Sequence, residues 1–231
     1  MSNQLAIDII SDLHLDSADA FDWENKPTAL FCVVPGGISN KLDVLDAVLE
    51  KLSLVYRGVF YIDGAGDHES LDVVSSNVDE ITKICSKHNN VVYLHNHVVI
   101  MNNVAFVGVN GWYKNHSYDD NHEQLKVDTY KMEDIAYLSN SIKSLKTHND
   151  VDQILIISAC VPAEDFLYRQ TFDGNLKVEP AMALFSDSDS KVKTWIYGGS
   201  KLSVDTVYND RRFVNNPCVV GQPYWPKRIM I

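Results

Sequence analysis

The sequence lacks the features that mark several large classes of protein. None of its four cysteines lies in a C-x-x-C pair, and no apolar run approaches the roughly 20 residues that span a bilayer. Basic residues are scarce, since 20 Lys and Arg face 31 Asp and Glu, giving a net charge of −11. Because nucleic-acid-binding proteins usually present a basic surface, we predict neither a nucleic-acid partner nor a membrane location.

The start of the chain also lacks a charged region followed by an apolar stretch, so we expect no signal peptide. Cys32 lies in an apolar run and Cys85 in a helical pattern, which favours buried thiols in a reducing compartment. These features predict a cytoplasmic protein. The chain has 231 residues, of which 45% are hydrophobic. That is enough for one good core, and we predict a single domain over residues 1–231.

Short runs rich in Val and Ile predict buried strands, because they lack the alternation of half-exposed ones. They cover residues 5–10, 30–34, 59–62, 91–94, 104–109 and 154–157. Helical stripes lie between several of them, over residues 42–52, 74–85 and 123–145, with Ser39 or Asn40 placed to cap the first helix. Strands that alternate with helices indicate a largely parallel sheet.

The end of the chain has short strands instead, over residues 194–197, 204–208 and 213–214, with Asn209-Asp210 typical of a hairpin turn. Asn102-Asn103 is typical of another hairpin turn, between residues 97–100 and 104–109. The expected fold class is therefore α/β. We predict a layered sandwich of two mixed β-sheets flanked by helices.

Ligands of open α/β sheets bind outside the carboxyl ends of the strands, so the residues just after each strand are the functional candidates. The first such segment contains Asp12 and His14, a carboxylate and an imidazole directed toward one spot. Further candidate segments begin at Gly36, Asp63 and Ala159, and a fifth begins at Gly198. Histidine is absent after position 148, which is unusual for a site that begins with a metal-ligand pattern.

These five segments resemble, in order, the motifs of the calcineurin-like metallophosphoesterases. The family pattern is D-x-H, then G-D, then G-N-H-D/E, then a lone His after a strand, then G-H-x-H. Asp12-Leu13-His14 matches the first motif, and the resemblance extends from Ile9 to about Pro217. It implies the sandwich fold, two divalent metals and hydrolysis of a phosphoester.

Only Asp12 and His14 remain as residual metal-site positions. The replaced metal-site and catalytic positions are Gly37, Ala65, Gly66, Ala159, Gly199 and Lys201. In the third motif we align Gly64 with the first family residue, whereas a register shifted by two would keep His68. Glycine and alanine offer no donor atom, and the Lys201 ammonium would repel a cation.

Other residues are possible rescue ligands. Asp63, Asp67, His68 and Glu69 follow the third strand and would complete a one-metal site with Asp12 and His14. The alternative interpretation is that Asp67, His68 and Glu69 cap the following helix and face solvent.

The resemblance and the replacements together predict a metallophosphoesterase-fold protein with a degenerate dinuclear site. We expect it to be catalytically inactive, as a pseudoenzyme or an inactivated variant, with no cofactor and an unknown ligand or protein partner. One alternative is a divergent phosphoesterase of monoesters or diesters that uses a single manganese or other divalent ion. Another is a module that binds a phosphate-bearing ligand without hydrolysis, with Lys201 supplying the charge.

Overall fold

A computed structural model describes residues 5–68, 70, 74–111, 121–163, 166, 191–219 and 221–231, with residues 121–124 described by their backbone alone. The helices are α1 (Leu42–Val55), α2 (Val74–Ser86) and α3 (Asn121–Lys146), with short 3-10 turns at Ala18–Ala20 and Ala65–Asp67. The strands are β1 (Ala6–Ile9), β2 (Phe31–Pro35), β3 (Gly58–Ile62), β4 (Val91–Tyr93), β5 (His97–Met101), β6 (Val104–Val109), β7 (Gln153–Ser158), β8 (Val192–Tyr197), β9 (Asp205–Tyr208), β10 (Arg211–Val214) and β11 (Lys227–Met230).

The strands form two mixed sheets, which confirms the predicted fold class. The first sheet has the order β11-β1-β2-β3-β4, and only its β11–β1 pair is antiparallel. The second has the order β5-β6-β7-β8-β10-β9, with antiparallel pairs at its two ends. The parallel strands of each sheet therefore end at one common edge.

The two sheets pack face to face around a shared apolar layer. Ile7 and Val33 of the first sheet and Phe106 and Leu155 of the second are fully buried members of this layer. Helices α1 and α2 cover the outer face of the first sheet, and α3 covers the outer face of the second. Strands covered on both faces explain why the Val- and Ile-rich runs show no alternation.

Local sequence signals located most elements correctly. The predicted asparagine turns are confirmed, since Asn102, Asn103, Asn209 and Asp210 all have positive φ between 48° and 62°. The predicted cap of α1 is wrong, because the N-cap residue is Lys41 and makes no side-chain cap bond. No described helix is long and apolar enough to cross a membrane.

Candidate functional site

Five loops meet at the common carboxyl edge of the two sheets, where the sequence predicted them. The amides of Asp12 and His14 donate to the carbonyls of Gly36 and Gly37, at 3.3 and 2.8 Å. Within the second sheet, the Gly198 amide donates to the Ser158 carbonyl at 2.9 Å. Neighbouring loops of each sheet are therefore tied to one another through their backbones.

Asp12 is one of three buried acids at this edge, together with Asp63 and Asp67. Asp12 lies three residues beyond the end of β1 and has φ 56°, a left-handed conformation that Asp tolerates better than most residues. Its Oδ1 accepts a hydrogen bond from the Gly199 amide at 2.8 Å, while its buried Oδ2 has no partner among the described residues. Burial raises the pKa of Asp12 to about 6, although the Gly199 amide opposes that rise.

His14 and Lys201 are both exposed. Ala65 and Gly66 are also exposed, and a Cβ added at Gly66 would lie 3.3 Å from Cε1 of His14. A histidine side chain at position 66 would therefore contact the ring of His14. The geometry brings Asp12, His14 and Gly66 to one region.

Backbone atoms fill the space beside Gly37 and Gly199. Gly37 has φ 73°, and a Cβ added there would lie 2.8 Å from Cα of Asp12. Gly199 has φ 72°, and its added Cβ would lie 2.8 Å from the carbonyl oxygen of Ala159. Ala159 itself is 5% exposed. Side chains at positions 37 and 199 would require these loops to move apart.

Asp67 is held by backbone amides. Its Oδ2 accepts from the amides of Gly37 and Gly64 at 2.8 and 2.7 Å, and its Oδ1 accepts from those of Ile38 and Ser39 at 2.7 and 3.0 Å. The residue is fully buried. Burial raises the pKa of Asp67, and the amides oppose that rise. Both carboxyl oxygens already carry two donors each, so Asp67 ties the second loop to the third.

Asp63 is the centre of a second buried network. Its Oδ2 contacts Nε2 of His68 at 2.8 Å, and its Oδ1 accepts from the Tyr93 hydroxyl at 2.6 Å and contacts Nδ1 of His95 at 3.0 Å. Although burial alone would raise its pKa, hydrogen bonds from His68 and His95 hold the pKa of Asp63 well below its usual range. Asn110 donates to the Asp63 carbonyl at 2.8 Å.

The interpretation that this segment faces solvent is wrong for Asp67 and His68, which are 0% and 6% exposed. Glu69 lies outside the described residues. Among the residues that the structure does describe, no three His, Cys, Asp or Glu side chains are grouped so that they could hold a metal ion. Of the proposed rescue ligands, Asp63, Asp67 and His68 are thus engaged with other parts of the protein.

Sequence reasoning missed two polar residues near this network. Asn110 directly follows β6, so the rule that selected the other loops could have found it. Asp134 lies in α3 and is 4% exposed, with its Oδ2 accepting from the Gly111 amide at 2.7 Å. Burial raises the pKa of Asp134 to about 6. A single acid on a helix gives no sequence signal of such a contact.

Solved structures share this architecture. Phosphopantetheinyl hydrolase (PptH) from Mycobacterium tuberculosis superposes with a TM-score of 0.65 at 12% identity, covering 99% of this chain and 97% of that one. A putative 5′-nucleotidase from Staphylococcus aureus, in complex with alpha-ketoglutarate, gives a TM-score of 0.54 at 11% identity, covering 99% of this chain and 51% of that one. No protein-family model matches the sequence, and neither does any curated protein. The fold is phosphoesterase-like.

Proposed function

We propose that the chain belongs to the calcineurin-like metallophosphoesterases and that its site no longer carries out the family's hydrolysis. The observation that carries this proposal is the contact between Gly37 and Asp12. Where the family has a metal-binding aspartate, the backbone of Gly37 lies so close to Asp12 that an added Cβ would be 2.8 Å from its Cα. A carboxylate at this position has no room in the present loop arrangement.

The donor set supports the same conclusion. The dinuclear centre implied by the resemblance needs carboxylate, amide and imidazole donors at several loops, and these residues do not supply them. Asp63 and Asp67 engage their oxygens with internal donors, and the Gly199 amide takes Oδ1 of Asp12. Among the residues of these loops that the structure describes, Oδ2 of Asp12 and the imidazole of His14 are the donors that remain, too few for two metals.

The proposal is tested by measuring bound metal and hydrolysis in the same sample. We expect protein exchanged into Mn²⁺ to hold far less than one metal per chain by elemental analysis. Turnover of bis(p-nitrophenyl) phosphate should equal that of the Asp12→Asn variant. Stoichiometric metal, together with turnover that Asp12→Asn abolishes and the exposed control Asp210→Asn retains, would show that the protein is an enzyme.

The unpartnered Oδ2 of Asp12 favours one alternative, a divergent phosphoesterase with a single metal. That atom is buried beside the exposed His14, so one divalent ion could bridge the two side chains. The same experiment separates the two functions, because a single-metal enzyme would show about one ion per chain. Loss of that ion in both Asp12→Asn and His14→Ala would support the alternative.

Binding of a phosphate-bearing ligand through Lys201 stays a prediction. Lys201 is exposed and lies two residues after Gly199, whose amide binds Asp12, and a point charge there could hold a phosphate. Calorimetric titration with inorganic phosphate and a nucleoside monophosphate tests this prediction. Heat of binding that Lys201→Ala removes, and that Lys143→Ala on α3 leaves unchanged, would support it, whereas equal heats in both variants would contradict it.

A further inference from the structure

A cavity opens at the edge of the sheets opposite to the carboxyl-edge loops. It has a volume of 740 Å³ and is lined by residues that precede the parallel strands, among them Leu5, Leu30 and Arg57. The β5–β6 hairpin contributes Met101, and strand β11 contributes Arg228. Cavities of about 300 to 1,000 Å³ are the usual size for sites that bind small molecules. This cavity shares none of its lining residues with the carboxyl-edge loops.

Two guanidinium groups give the cavity a positive charge in an acidic protein. Arg57 and Arg228 are both exposed and both line it. Neither side chain makes an ion pair or hydrogen bond with the part of the chain that the structure describes. Arg212 differs, because its guanidinium binds both oxygens of Asp205, at 2.8 and 2.9 Å. Arginine prefers planar anions such as carboxylates and phosphates, with which it forms paired hydrogen bonds.

The nearest acid to Arg228 in the sheet register is Asp8, and its oxygens are already engaged. Asp8 lies opposite Arg228 in the β1–β11 pair and is fully buried. Its Oδ2 accepts from the amides of Thr28 and Ala29 and from the Tyr56 hydroxyl, and its Oδ1 accepts from the Thr28 hydroxyl. Asp8 therefore fixes the Thr28–Ala29 wall of the cavity, while the two arginines keep their donors for another anion.

Another part of the wall is apolar. Leu30 is 62% exposed and borders the cavity together with Phe31 and Met101. Phe31 is held in place against Phe60, with ring centroids 6.4 Å apart. A ligand that covered Leu30 and Met101 would remove apolar surface from water. The cavity thus offers a cationic end and an apolar wall.

We propose that this cavity binds an anionic small molecule with an apolar tail, whose carboxylate or phosphate head group contacts Arg57 and Arg228 and whose tail lies on Leu30 and Met101. The site is independent of the carboxyl-edge loops. It does not depend on whether the protein hydrolyses phosphoesters. A medium-chain alkyl carboxylate and an alkyl phosphate are the simplest molecules of this class.

The test is calorimetric titration of the full chain with octanoate and, separately, with octyl phosphate. We expect one site per chain for at least one of them, and the stronger ligand identifies the head group. Octyltrimethylammonium carries the same tail with the opposite charge and should not bind. The double variant Arg57→Gln/Arg228→Gln should bind about tenfold more weakly or worse, because charge-assisted hydrogen bonds are lost.

Arg212→Gln is the matched control, since it removes one arginine from a surface ion pair and should leave the affinity unchanged. Both cavity arginines are exposed, so the double variant should fold, which a circular dichroism melt checks. Leu30→Asn gives a second measurement and should weaken octanoate more than acetate. The proposal is wrong if neither anion binds, if octyltrimethylammonium binds equally well, or if the double variant retains full affinity. Loss of octanoate binding in Asp12→Asn would instead place the ligand at the other edge and would also overturn it.

Discussion

At the scale of single residues, the buried carboxyl group of Asp12 makes the free energy of unfolding depend on pH. The pKa of an ordinary aspartate is near 4, whereas burial raises the pKa of Asp12 to about 6 in the folded protein. Between those values the folded state binds more protons than the unfolded state, so the free energy of unfolding rises as the pH falls from 7 to 4. Above pH 6 the ionised Asp12 costs the fold roughly 3 kcal/mol, from a shift of about two pKa units. Asp134 shifts in the same direction, so it adds to this dependence.

Asp12→Asn should therefore flatten the dependence of stability on pH. Relative to the parent, the variant should gain about 1.4 kcal/mol between pH 5 and pH 8, because it removes a charge that is costly only when ionised. Urea unfolding at both pH values measures this difference. Asp210→Asn is the control, since Asp210 has a similar φ of 60° but is exposed in a turn. Parallel pH profiles for Asp12→Asn and the parent would show that the buried carboxyl does not titrate in this range.

A side chain at position 37 should lower the free energy of unfolding by more than the positive φ alone would. Gly37→Ala should lower the free energy of unfolding by about 3 kcal/mol or more, from left-handed strain of roughly 1–2 kcal/mol plus overlap with Asp12. Gly221→Ala is the matched control, because Gly221 has φ 80° and an added Cβ would meet nothing within 4 Å. Gly221→Ala should therefore lower the free energy of unfolding only by the left-handed backbone strain. Equal urea midpoints for the two variants would mean that the loops separate easily, and would weaken the proposed function.

At the scale of elements, local patterns predict the strands and turns well but predict contacts between distant loops poorly. The asparagine turns follow from the residues within them, which is why they are confirmed. Strand β11 has no such signal, since half of it is exposed and its partner β1 lies more than 200 residues earlier. Asp67 likewise looks like a helix cap in sequence. Its four amide donors become visible only when the second and third loops are brought together in space.

The loop after β2 depends on Asp67 for its conformation. In Asp67→Asn the side-chain amide nitrogen would face backbone N–H groups and would not accept hydrogen bonds from them. Two buried backbone N–H groups would therefore lose their acceptor. We expect this to lower the free energy of unfolding by about 2–4 kcal/mol. Hydrogen exchange at the Gly37, Ile38 and Ser39 amides should accelerate more than exchange in β6. The control Asp16→Asn changes an exposed acid nearby and should cost less than about 0.5 kcal/mol. A similarly small cost for Asp67→Asn would contradict the proposed role.

At the scale of the whole molecule, three apolar layers and the sheet ladders hold the fold together. The loops at the carboxyl edge are joined by backbone hydrogen bonds and by Asp67, all supplied by the chain itself. Stability should therefore be insensitive to divalent ions. An ion present at 100 times its dissociation constant would add about 2.7 kcal/mol, which raises the melting temperature of a chain of this size by roughly 5–10 °C.

We expect the melting temperature to change by less than about 1 °C between 1 mM EDTA and 1 mM Mn²⁺, since few donors are available for an ion. Differential scanning fluorimetry measures this, and Ca²⁺ at the same concentration controls for general salt effects. A rise of 5 °C or more with Mn²⁺ that Asp12→Asn removes would show a structural metal at the carboxyl edge.

The four amides around Asp67 form a concave group of donors of the kind that elsewhere captures dissolved anions. In this protein the bound anion is the Asp67 carboxylate. Because it is covalently attached to the chain, its effective concentration exceeds that of any free competitor. Removing this side chain should therefore uncover a binding site for small anions. In Asp67→Gly, added formate should restore part of the lost stability in a saturable manner, while the parent protein gains nothing. Formate would then occupy the place that the Asp67 carboxylate has in the parent protein.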